Sequence, residues 1–226
     1  MDLPIEQASA ETICRWIADE NLLAKRTREG QLKALRKLRE RYLLEPQHPA
    51  FAGFCAAWRS SDEDSQRALL AYLLLGWQDG FFRTSACRWL APLLRRPGTP
   101  LVPEAFGRFI DDLEAENPSV AQWGKTTRVR VCQHFLAAVR DFGLAAGKAK
   151  KVSVRPTVGP AVTWYCAHLS LLSGLCPRDA LSGDWFTMLG LDLPEAMDAL
   201  YEMAASGLGR FRVEGQVVDL ELHQLR

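Results

Sequence analysis

The chain has 226 residues, enough for one large domain or two small ones, and its 48% hydrophobic and 24% charged content is that of a soluble globular protein. A net charge of +1 excludes a uniformly basic or acidic protein, so a charge-driven partner would have to meet local patches. Six scattered cysteines, with no C-x-x-C pair and no histidine pairs nearby, exclude the usual zinc spacings; they read as reduced, buried small hydrophobes. The first residues, Met-Asp-Leu-Pro-Ile-Glu, have neither the basic nor the apolar part of a signal peptide, and the apolar runs at 68–77 and 160–175 are too short or too interrupted to span a bilayer. A cytoplasmic protein with no membrane partner is expected.

Helical periodicity dominates the first two thirds. A first helix is predicted over 9–21, with Ile13, Trp16 and Ile17 on one side. A second starts after Thr27 and runs to about Leu44, with Leu32, Leu35, Leu38, Tyr42 and Leu43 as its apolar arc; Arg39 falls inside that arc and would have to snorkel or pair. Pro46 and Pro49 break the chain. Strongly apolar helices follow over 51–58, 66–77 and 81–94, the last closed by Arg95-Arg96-Pro97-Gly98. Pro103 suits the first position of a helix over 103–116.

The stretch 123–143 looks like the organising element, a strut joining a helical body to a C-terminal module. Thr126 or Thr127 is the expected N-cap and Gly143 the left-handed residue that closes the helix. Val129, Cys132, Phe135, Leu136, Val139 and Phe142 share one face at 100° per residue. Residues 145–160 change to Gly, Lys, Ser, Val and Pro and read as a basic linker, with a short strand at 151–154. Helices are then predicted over 161–173, 182–189 and 194–206, the last with Pro194 at its first position, before a hairpin of 210–213 and 216–222 turning at Glu214-Gly215. The expected fold is mainly α: a multi-helical bundle (1–144), the linker (145–160) and a small winged-helix-like module with a β-hairpin (161–226). No repeat of solenoid length is present.

Charge is unevenly spread. Lys25, Arg26, Arg28, Lys33, Arg36, Lys37, Arg39 and Arg41 stand against Glu29 and Glu40, a local +6. Lys125, Arg128, Arg130, Arg140, Lys148, Lys150, Lys151 and Arg155 stand against Asp141 alone, a local +7, while the chain from Asp184 onward carries −5. Clustered cations that displace condensed counterions supply most nucleic-acid affinity. The candidate nucleic-acid-binding groups are therefore Lys25, Arg26, Arg28, Lys33, Arg36, Lys37, Arg41, Lys125, Thr126, Thr127, Arg128, Arg130, Lys148, Lys150 and Lys151, together with Arg210 and Arg212 on the hairpin. The helix before the hairpin would enter the major groove in a winged helix. Here it shows Glu195, Asp198 and Glu202, which repel phosphate, so that module is expected to be structural or to bind protein.

No catalytic constellation is visible. His48, His134, His168 and His223 are isolated. Gly124-Lys125-Thr126 ends like a phosphate-binding loop but lacks its glycine lead and its preceding strand. Asp111, Asp112, Glu114 and Glu116 read as a solvated helix face. A non-enzyme without cofactor or metal is expected.

Leu22-Leu23-Ala24-Lys25-Arg26-Thr27, Leu35-Arg36-Lys37-Leu38-Arg39-Glu40-Arg41-Tyr42, Phe109, and Trp123-x-x-x-Thr127-Arg128 continuing to Phe135 and Arg140-Asp141-Phe142-Gly143-Leu144 resemble the BrxA family, the small component of BREX bacteriophage-exclusion systems, over roughly the first 155 residues. The resemblance implies a mostly helical, non-enzymatic DNA-binding protein that works with a methyltransferase, a large ATPase, a phosphatase-like protein and a protease-like protein. The family's comparison with the antitermination protein NusB keeps RNA open as a ligand. An accessory protein gripping duplex DNA phosphates with little base reading is the first expectation, and a protein–protein adaptor of the defence complex the second.

Overall fold

The computed structural model describes Arg15, Ile17, residues 19–21, 23–42 and 45–225. The predicted helix over 9–21, and with it Trp16 and Cys14, lies largely outside the described residues, as do Leu22, Leu43 and Leu44. The chain is mainly helical, with a small antiparallel hairpin at its end.

Helix α1 (Arg28–Tyr42) is N-capped by Thr27, whose Oγ1 accepts from the Gly30 N–H at 3.1 Å. It faces α3 with Gln31 and Leu35. Leu32, placed inward by periodicity, is 51% exposed, and Arg39 is exposed rather than tucked under. Helix α2 (Pro49–Arg59) starts on the His48 Nδ1, which accepts from Ala50 N–H at 3.2 Å, and runs into α3 (Asp64–Gln78). Next comes one long helical run: α4 (Gly80–Ser85), a π-helical turn (Ala86–Leu90) and α5 (Ala91–Leu94). Pro92 cannot donate to a carbonyl one turn back, and the widened turn before it, closed by Ala91 N–H to Ala86 O, lets the helix continue. Helix α6 (Pro103–Glu114) begins on Pro103 as expected, and a short α7 (Pro118–Ala121) leads into α8 (Lys125–Asp141).

The predicted end of α8 is present. Gly143 has φ +80, Gly143 N–H donates to Arg140 O, and Leu144 N–H donates to Val139 O, the two bonds of a Schellman motif. Its start is corrected: Gly124, not Thr126 or Thr127, is the N-cap, and no side chain caps it. Cys132, Phe135, Leu136 and Val139 are buried, but Val129, at the rim of the predicted arc, is 50% exposed.

Strand β1 (Ala145–Ala146) pairs with β2 (Val152–Ser153), so the strand expected within the basic segment exists. Helix α9 (Pro160–Leu172) follows, then short α10 (Pro177–Ala180) and α11 (Asp184–Met188), α12 (Leu193–Ala205), and the hairpin β3 (Gly209–Glu214) with β4 (Val217–Leu222). A capping box of Asp192 and Glu195 starts α12, which puts Pro194 at its second position rather than its first.

The core is organised around α9, not α8. From Ala161 to Ala167 every residue of α9 is buried, as are Leu169 and Ser170, and the helix touches α2, α3, α11, α12 and β4. A helix apolar on all sides has to sit inside. Tyr165 Oη donates to Ala50 O and Tyr72 Oη to Met188 O, both at 3.0 Å, so these two buried hydroxyls are satisfied by carbonyls more than a hundred residues away. One apolar cluster runs from Ala50 to Leu220, on both sides of the 145–160 segment. Trp164 and Trp185 are buried in it; Trp77, Trp89 and Trp123 lean on it, and Trp58 is the more exposed one. Cys132 and Cys166 are buried as expected, Cys55 and Cys87 half-buried, and Cys176 is exposed, against expectation.

Candidate nucleic-acid interface

Helix α8 presents two different sides. Phe135 stacks on Phe106, with ring centroids 4.4 Å apart, and also meets Phe82 and Trp89. That aromatic cluster fixes the helix against α6 and α4. Thr126, Thr127, Val129, Arg130, Gln133 and Arg140 face solvent.

Arg128, counted from sequence with the phosphate-binding groups, is turned inward, its side chain 21% exposed. Its guanidinium donates to Asp111 at 2.6 Å, to Glu114 at 2.8 Å, and through Nε to the Trp123 carbonyl at 2.9 Å. The hydrogen bonds to both carboxylates hold it above its ordinary pKa. Asp111 and Glu114 are thus not an idle solvated face. One turn apart on α6, they form a fork for one arginine, and Glu116 pairs with Arg88 at 2.5 Å. The clamp leaves the first N–H groups of the helix uncapped, but it ties Trp123, two residues before the helix, to Arg128 in the first turn. Arg128→Gln is therefore expected to lower the Tm and to speed amide exchange in the first turn of α8. Wild-type melting and exchange would mean the clamp is idle.

The hairpin of β1 and β2 carries Lys148, Lys150 and Lys151. Its tip requires glycine: Gly147 has φ +94, and a Cβ there would lie 2.1 Å from the Lys150 carbonyl oxygen. Lys148 and Lys150 are exposed; Lys151 is half-buried, its Nζ donating to Lys148 O at 3.2 Å. The loop after α5 adds to this hairpin. Gly98 N–H donates to Ser153 O, Ser153 N–H to Thr99 O and Leu101 N–H to Lys151 O, each at 2.8 Å, and the buried Ser153 Oγ donates to Arg96 O at 3.1 Å. That zipper sets exposed Arg96 at the edge of the lysine hairpin. In the sequence Arg96 belongs to a helix stop; only pairing across more than fifty residues places it beside the lysines.

Lys25, Arg26, Arg28, Lys33, Arg36, Lys37 and Arg41 are all exposed around α1, with no ion pair among the described residues. The end of α1 meets the later turns of α8: Arg41 lines a groove with Trp123, His134 and Ala138, and the charge of Asp141 reaches Tyr42. The end of the first basic segment and the middle of α8 thus border one groove. Lys125 and Arg130 are likewise exposed and unpaired among the described residues. Arg140 bonds Asp141, and Arg155 bonds Glu195. On the C-terminal hairpin Arg210 is held by Asp219 and Glu221, while Arg212 is exposed with no ion pair among the described residues.

The BrxA family model matches residues 3–167. The chain belongs to the BrxA family. A BREX phage-defence role comes with that membership, which suggests other BREX components as partners. The match takes in both basic segments and ends within α9, leaving α10 to β4 outside it. Comparison with curated proteins and with solved structures gave no match. Among the described residues no helix is long and apolar enough to cross a membrane.

Three of the four histidines have structural surroundings, and His134 is exposed on α8. His48 caps α2; His168 stacks on Trp164 and bonds Pro49 O, its pKa lowered by burial; His223 bonds Gly207 O. Among the described residues no three His, Cys, Asp or Glu side chains are grouped to hold a metal.

Proposed function

We propose that this BrxA-family protein is a non-enzymatic, cytoplasmic DNA-binding subunit of a BREX defence system. It grips duplex phosphates and works beside the methyltransferase, ATPase, phosphatase-like and protease-like components. The observation that carries the reading is a set of cations exposed and without an ion pair among the described residues: Lys125 and Arg130 on α8, Arg96, Lys148 and Lys150 at the hairpin, and the cations of α1. Uncompensated cations gain most from replacing the counterions of a polyanion. Titrating a labelled duplex at two salt concentrations tests it: tight binding at low salt that falls steeply as salt rises is expected.

The C-terminal part does not add to phosphate gripping. Its order, α9 to α12 and then a hairpin, is that of a winged-helix module, but α12 turns Asp198 and Glu202 to solvent, and Arg210 spends its charge on two carboxylates. A second reading as a protein adaptor is favoured there by Leu193 and Tyr201 on α12 and Val217 on the hairpin, large apolar side chains that are exposed. Association with a BREX component that survives nuclease and high salt would support it. Both duties fit on one chain.

A further inference from the structure

The outward side of α8 carries more than charge. Thr126, Arg130 and Gln133 follow helical spacing on the side of α8 turned away from buried Cys132, Phe135, Leu136 and Val139, and Val129 lies at the rim between the two. Arg130 and Gln133 are exposed and have no side-chain hydrogen bond or ion pair among the described residues, and Val129 offers a half-exposed apolar side chain between basic neighbours. No carboxylate occurs on α8 before Asp141, and that one is held by Arg140. The Arg128 clamp and the Phe106–Phe135 stack fix the helix behind this ridge.

Resting on the duplex-DNA reading above, we infer that the Thr126–Gln133 ridge of α8 enters the major groove and reads bases, the role that the acidic α12 cannot take. The B-form major groove, about 12 Å wide, admits an α-helix. A guanidinium such as that of Arg130 matches the O6 and N7 acceptors of guanine, and the amide of Gln133 matches the N6 donor and N7 acceptor of adenine; Val129 suits a thymine methyl. Lys125 sits at the uncapped start of the helix, where free N–H groups and the helix dipole favour a phosphate. Affinity then comes from the cations and preference from three side chains within two turns. The deep, narrow major groove of A-form RNA would not admit the ridge.

Selection of bound duplexes from a random pool, followed by titration of the winning and scrambled duplexes, tests this. The wild-type protein is expected to enrich a motif of about three or four base pairs containing guanine and adenine, and to prefer it by about tenfold or more, since a bidentate side-chain–base pair discriminates roughly 5- to 150-fold. Arg130→Ala/Gln133→Ala should bring that ratio to about one. Gln133→Arg should shift one position of the motif from adenine to guanine, a result that mere loss of structure cannot give. Tight binding with no enriched motif would overturn the inference and leave the phosphate reading standing. Binding to no duplex would overturn both. A preference that survives in the double variant would remove α8 from the reading role.

Discussion

Lys148→Glu/Lys150→Glu/Lys151→Glu is expected to weaken duplex binding on the order of a hundredfold at low salt, and to flatten the plot of log affinity against log salt by about 2 to 3. The figure follows from each neutralised phosphate contributing about 0.9 to that slope. The three side chains sit on a two-stranded hairpin whose geometry is set by backbone bonds, by Gly147 and by Ser153, none of which is altered. The fold should therefore persist, with an unchanged circular dichroism spectrum. Lys151 is the weakest contributor, because it already spends a donor on Lys148 O. An unchanged affinity and slope would take the hairpin out of the interface.

Phe135→Ala is expected to have the largest effect on stability, about 3–5 kcal/mol, as for other buried phenylalanines cut to alanine. For a chain of this size that corresponds to a fall in Tm of roughly 10 °C. Phe135 is 4% exposed and touches three aromatic side chains from three different elements: Phe82 on α4, Trp89 in the π-helical turn and Phe106 on α6. Removing it opens a cavity that α8 cannot fill without moving, because the Arg128 clamp pins one end and the Schellman motif the other. Calorimetry or thermal circular dichroism reads the change. A Tm within a degree or two of wild type would mean the cluster repacks freely.

What the sequence disclosed depended on how local the cause was. The end of α8 was legible because a glycine at the right place makes its own case. Its start was not, since Gly124 contributes no side chain and the anchoring group, Arg128, acts through partners 14 and 17 residues earlier. Val129 and Leu32 were put inside because both lie at the rim of an apolar arc, where periodicity alone does not decide between core and solvent. The centrality of α9 could be glimpsed in its unbroken apolar run. A central place in the fold, however, is a matter of what packs on all sides, and α2, α3, α11, α12 and β4 come from distant parts of the chain.

The candidate interface shows the same division. The two basic segments are visible as composition, but the groove that Arg41 shares with α8 and the addition of Arg96 are products of tertiary structure. Structure also subtracts. Arg128, Arg140, Arg155 and Arg210 are held by carboxylates, so raw charge overstates what a polyanion can use. The unpaired remainder is concentrated on α1, on the outer side of α8 and at the lysine hairpin.

The most direct test of phosphate gripping is the salt dependence of wild-type binding to one duplex, measured by anisotropy across 50–200 mM monovalent salt. About six phosphate contacts predict a slope near −5 in log affinity against log salt. A slope close to zero, or no binding at the lowest salt, would contradict the account.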